Sequence, residues 1–159
     1  MKSPKQFFQI ISYLQYPLIV VALFYAIQPY FSGWSTIFDD PTQYLQSINK
    51  MFIFMGLSIS FSTLQDTTKT QNKISKKVWE DPKKSKIFLL MLSFSILIIL
   101  SFGLCSYVFT TNNTLQEVSF GAIVLGIGMM GMLKSAIEMA DYHQKKDYLQ
   151  NNTAGLTTK

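Results

Sequence analysis

The 159-residue chain contains no arginine, one cysteine and one histidine. Without guanidinium groups it has no bidentate donors for phosphate or guanine, so its net charge of +5 is not read as a nucleic-acid footprint. The single cysteine, Cys105, has no intramolecular disulfide partner, and it lies inside an apolar run where it reads as a small packing residue. The single histidine, His143, leaves no set of imidazoles for a metal centre, although Glu138 and Asp141 lie near it in sequence. No G-x-S-x-G elbow and no glycine-rich phosphate loop is present. No catalytic, cofactor-binding or metal-binding set is therefore assigned.

Charge is scarce as well. Charged residues make up 14% of the chain and hydrophobic residues 48%; a soluble domain carries about a quarter charged residues. The deficit falls in four blocks, near residues 8–28, 45–64, 87–109 and 118–137. Blocks of that length and composition predict membrane-spanning helices. The expected fold is an all-α integral membrane protein, with four helices in an up-down bundle over 1–143 and a polar, flexible tail over 144–159.

Lysine placement orients this pattern. Of 14 lysines, only Lys50 falls near one face of a four-pass arrangement, and the rest collect on the other. Lysine-rich loops stay in the cytoplasm, so both termini are expected to be cytoplasmic and the protein to reside in the cell (inner) membrane. The loop 65–86 holds Lys69, Lys73, Lys76, Lys77, Lys83, Lys84 and Lys86. The expected partner of that loop is the bilayer itself, through anionic lipid headgroups. Ile74, Val78 and Trp79 share a helical face, which suits either an extension of the second span or a segment lying on the membrane.

Local signals place the helix ends. Pro17 lies inside the first span and predicts a kink. The run 1–28 reads as a retained span, since no small-x-small cleavage site follows its apolar part. Tyr25, Tyr30, Phe31 and Trp34 form an aromatic belt at the outer boundary. Asp40-Pro41 and Asp81-Pro82 are cap-then-proline starts for the second and third helices. Thr114 with Glu117 reads as a capping box for the fourth. The second span is the weak one: its strictly apolar centre runs only from Met51 to Leu64, so spanning recruits Asn49 and Lys50.

Two patterns stand out within the spans. Gly121, Gly128 and Ser135 recur every seven residues in the fourth span, with Gly131 nearby. Gly56 and Ser60, together with Asn49 and Thr63, offer a matching groove in the second. Small residues let helix backbones approach closely in lipid, so the second and fourth spans are expected to pack together, or to form an oligomer interface. The polar intramembrane candidates are Asn49, Lys50, Lys134 and Glu138. Lys134 and Glu138 are four apart and suited to an ion pair, and Lys134 lies ~24 Å down its helix, near the inner interface.

Three functions are compatible with this reading. The first is a non-enzymatic subunit or assembly partner of a membrane complex, assembling with itself as a homo-oligomer or with a larger complex. The second is a small oligomeric channel or transporter lined by Gln9, Ser12, Gln15, Asn49, Lys50 and Ser60. The third is a membrane-embedded enzyme acting on lipid through Glu138, Asp141 and His143.

Overall fold

The computed structural model describes residues 4–31, 41–65, 79 and 81–156. The cap at Asp40, Trp34, and the loop residues Lys69, Lys73, Ile74, Lys76, Lys77 and Val78 lie outside the described residues. All regular structure within them is helical, with no strand. The helices are α1 (Pro4–Ser12), α2 (Gln15–Phe31), α3 (Pro41–Ser62), α4 (Pro82–Phe109) and α5 (Asn113–Leu156).

Three helical stretches are long and apolar enough to cross a membrane: Gln6–Phe31, which includes the break between α1 and α2, Pro82–Phe109 and Asn113–Lys145. Helix α3 is not among them. Its 22 residues are ~33 Å long, enough for a ~30 Å hydrocarbon core, but its first half is polar.

Local chemistry explains the helix ends. The first rod breaks at Tyr13–Leu14, just before Pro17. Pro17 has no N–H to offer the Tyr13 carbonyl, which accepts from Tyr16 N–H at 3.2 Å in a tighter turn instead. Helix α4 opens at Asp81, whose carboxylate accepts from the amides of Lys83 (3.0 Å) and Lys84 (3.4 Å), with Pro82 at the first helical position.

Helix α5 differs from expectation at both ends. Its cap is Asn112, whose side-chain oxygen accepts from the amides of Thr114 (2.9 Å) and Leu115 (3.4 Å). The Thr114–Glu117 capping box is thereby displaced, because Asn112 offers a carbonyl acceptor two residues earlier. At the other end the helical backbone continues to Leu156, through most of the segment 144–159 expected to be a flexible tail. No proline interrupts it, and its Lys, Gln and Leu residues are good helix formers.

The rods alternate in direction, and their contacts set a definite order. Helix α2 packs on α3, α3 on α5, and α5 on α4; other pairs touch only marginally. The order α2–α3–α5–α4 is a row, with α2 and α4 at its edges. Those edges are open: in each, only 11% of the apolar window is buried, against 33% in α5. One end of the row carries the turn 110–112 between α4 and α5; we call it the turn end. The opposite end, where α3 finishes and α4 starts, is the lysine end. There Trp79 is buried against Leu92, Ile96, Ala136 and Ala140, with its ring edge-on to Phe88 at 5.4 Å.

Candidate functional site

Among the described glycines, the tightest main-chain contacts lie between α3 and α5, which run parallel. A Cβ placed on Gly56 would meet Val124 O at 2.7 Å and Leu125 Cα at 2.8 Å. One placed on Gly128 would meet the Gly56 carbonyl oxygen, with Gly56 C at 3.0 Å and Cα at 3.1 Å. These neighbours are all main-chain atoms, so no side-chain rotation relieves them. Toward the turn end, Gly121 lies against Asn49, whose Oδ1 would be 2.5 Å from an added Cβ. Toward the lysine end, Gly131 faces the Thr63 side chain at a looser 3.3 Å, and the Ser135 hydroxyl donates to the Thr63 carbonyl at 3.4 Å.

The pairs Asn49–Gly121, Gly56–Gly128 and Thr63–Ser135 advance in steps of seven on both helices. That is the register of parallel helices whose contact seam recurs every two turns. The geometry thus brings together Gly56, Gly121, Gly128, Gly131 and Ser135. Ser60 turns its hydroxyl back to the Gly56 carbonyl at 2.9 Å, so its hydrogen bond stays within α3.

Three polar residues of α3 meet the neighbouring helices. Ser58 donates to the Gln15 carbonyl at 2.9 Å, a bond between α3 and the start of α2. The sequence marks it only as one serine of several; nothing in the pattern singles out its cross-helix partner. Lys50 Nζ sits 5.4 Å from the centroid of the Tyr25 ring, and Tyr25 stacks on Phe54 at 5.7 Å. A cation over an aromatic face is an electrostatic contact that leaves the ammonium partly hydrated. Asn49 differs: its Oδ1 is buried against Gly121 and accepts no hydrogen bond. Such an orphan carries the full desolvation penalty of the group, about 1–3 kcal/mol.

The remaining candidates do not converge. Lys134 and Glu138 pair at 3.7 Å with side chains 80% and 50% exposed, so the contact is a surface one. Glu138 and Asp141 are exposed while His143 is buried, its Nδ1–H donating to the Met139 carbonyl at 2.8 Å. Among the described residues no three His, Cys, Asp or Glu side chains are placed to share a metal ion. Ser12 is buried and donates to Gln9 O at 2.8 Å within its own helix.

Electrostatics at the lysine end centre on Asp81. The Lys84 ammonium, 3.0 Å from the carboxylate, and the amides of Lys84 and Lys83 hold its carboxyl below the usual aspartate range. Asp81 therefore stays ionised and engaged at the helix start.

The chain matches no protein-family model, no curated protein and no solved structure.

Proposed function

We propose that the chain is a four-span protein of the cell (inner) membrane, with both termini cytoplasmic, that acts as a non-enzymatic subunit or assembly partner of a membrane complex. The observation that carries this reading is the row α2–α3–α5–α4. A ring of four helices would cover its own members, whereas a row leaves α2 and α4 open for lipid or for the helices of other subunits.

The fourth span in this reading is α3. It falls short of the other helices in hydropathy, but it sits between α2 and α5, where Ser58, Asn49 and the glycine face meet protein rather than lipid tails. The lysine excess at one end supports the orientation. A small channel or transporter is the alternative. It is disfavoured because the seam between α3 and α5 is closed by backbone contact rather than lined for passage.

The test is mild solubilisation of tagged protein from its native membrane, followed by mass analysis of what co-purifies. A defined, stoichiometric partner or homo-oligomer is expected, and a lone monomer across several detergents would defeat the reading. Topology is checked separately in a Cys105→Ser background with single cysteines introduced at positions 70 and 112. Position 70 should react with an impermeant thiol reagent only after the membrane is opened, and position 112 in intact cells.

A further inference from the structure

Between α4 and α5, on the open side of the row, runs an apolar groove of about 600 Å³, lined by Leu90, Ser93, Phe94 and Leu97 of α4 and by Leu133 and Ile137 of α5. Its volume is that of a small-molecule site (~300–1,000 Å³), but it is open along its side. From residue 90 to residue 97 it extends ~10 Å along the helix axis. That is most of one leaflet's half of a ~30 Å hydrocarbon core. Such a slot suits a single chain-like apolar ligand lying parallel to the helices.

Charge at its mouth names the rest of the ligand. Lys83, Lys86, Leu90, Phe94 and Leu97 follow one another at spacings of three and four, so the two lysines continue the stripe of α4 that lines the groove. Both lysines are exposed, and neither forms an ion pair among the described residues. Lys134 lies beside Leu133 on the open face of α5. Two carboxylates are also nearby: Glu138, which pairs with Lys134 at 3.7 Å, and Asp141, which is exposed. The nearby Asp81 is taken up by Lys84 and the start of its own helix. Among the described residues the mouth is therefore net positive, and Lys83 and Lys86 continue the lining stripe of α4 beyond the slot.

We propose that this groove seats one acyl chain of an anionic phospholipid from the leaflet on the lysine side, with the phosphate held by Lys83 and Lys86. The proposal rests on the membrane reading above and adds a defined lipid to it. Lipid tails would touch any exposed apolar helix. What distinguishes this place is a recess that continues into two cations with no ion pair among the described residues.

The experiment is native mass spectrometry of the full chain released from detergent, with dioleoyl phosphatidylglycerol or dioleoyl phosphatidylcholine as the probe. One phosphatidylglycerol per chain is expected to survive, in clear preference to phosphatidylcholine. Each lysine near the surface contributes on the order of 1 kcal/mol to anionic lipid attraction, about fivefold in affinity. Replacing both (Lys83→Gln with Lys86→Gln) should weaken phosphatidylglycerol retention about thirtyfold, and should leave phosphatidylcholine unaffected. Ser93→Phe fills the slot from an exposed position without touching the buried core, and should remove both lipids. Equal retention of the two lipids, or phosphatidylglycerol retention unchanged in either variant, overturns the proposal. So does a dimer that Ser93→Phe dissociates, since a second copy would then be the occupant. Partner co-purification is measured on the same samples. In the wild-type protein, absence of bound lipid with partners retained sinks the site alone, and bound lipid without partners sinks the assembly reading alone.

Discussion

Replacing Gly128 with alanine should destabilise the protein, whereas the same change at Gly131, one turn further along the same helix, should not. The added methyl at 128 lands on the Gly56 carbonyl, with Gly56 C and Cα at 3.0 and 3.1 Å. Main-chain atoms inside a helix cannot step aside, so α3 and α5 must separate. A radial gap of ~0.5–1 Å forfeits roughly a quarter to a half of each van der Waals contact. That loss spreads from Asn49–Gly121 to Thr63–Ser135, because the whole seam is in register. Overpacking of this kind costs about 1–3 kcal/mol, and alanine's better helix propensity returns up to ~1 kcal/mol. A net loss of about 1–2 kcal/mol is expected for Gly128→Ala, and more for Gly128→Leu. At Gly131 the new methyl meets only the Thr63 side chain, at 3.3 Å. A few tenths of an ångström of rotamer adjustment suffice there, so Gly131→Ala should lie within ~0.5 kcal/mol of wild type. Thermal unfolding in one detergent, followed by size-exclusion fluorescence, measures the pair. Equal midpoints for the two variants, whether both shifted or neither, would refute the assignment of the seam to backbone contact at 56 and 128.

Ser58→Ala removes the hydroxyl that donates to Gln15 O at 2.9 Å and should cost ~0.6–1.7 kcal/mol in the same melting assay, with no change in oligomeric mass. Tyr25→Leu should cost ~0.5–1 kcal/mol more in the presence of Lys50 than in its absence, the difference being the lost cation contact. In a Lys50→Met background the cation term should vanish, so an unchanged cost there would show that only the ring's packing matters. Asp81 has a lowered folded-state pKa, so its stabilising contribution is present above the ordinary aspartate range and is lost as pH falls through the depressed value. Asp81→Ala should therefore lower the melting midpoint at neutral pH, and the gap to wild type should close in acid. A gap independent of pH would point to the cap geometry alone, without the charge.

Much of the architecture was legible because lipid makes simple demands. Apolar runs had to become helices, since no other local structure satisfies the backbone where water is absent. Asp81-Pro82 marked a start because proline needs no donor in the first turn and aspartate supplies an acceptor. The start of α5 was misread at Thr114 because two capping side chains compete there, and only the chain's turn geometry decides for Asn112. Residues 144–156 look like a tail in sequence because they are polar, yet polarity does not oppose a helix that α5 already nucleates.

The glycine face shows where sequence reasoning ends. Spacing by seven announced a seam on α5 and a partner groove on α3, but not which positions are intolerant of a methyl. Gly128 meets carbonyl and Cα atoms while Gly131 meets a movable threonine, a difference set by crossing geometry alone. Lys50 stood out in sequence as the one lysine the topology did not explain; the fold places it over Tyr25, on a neighbouring helix.

By itself, then, the sequence determined the helices, their apolar character and the end where lysine gathers, because these depend only on the solvation of each residue type and on local hydrogen bonding. The tertiary structure decided that the rods stand in the row α2–α3–α5–α4 rather than closing on themselves. It also decided that a groove opens between α4 and α5, because both depend on which faces reach backbone contact first. That is a property of paired surfaces, which no single stretch of sequence contains.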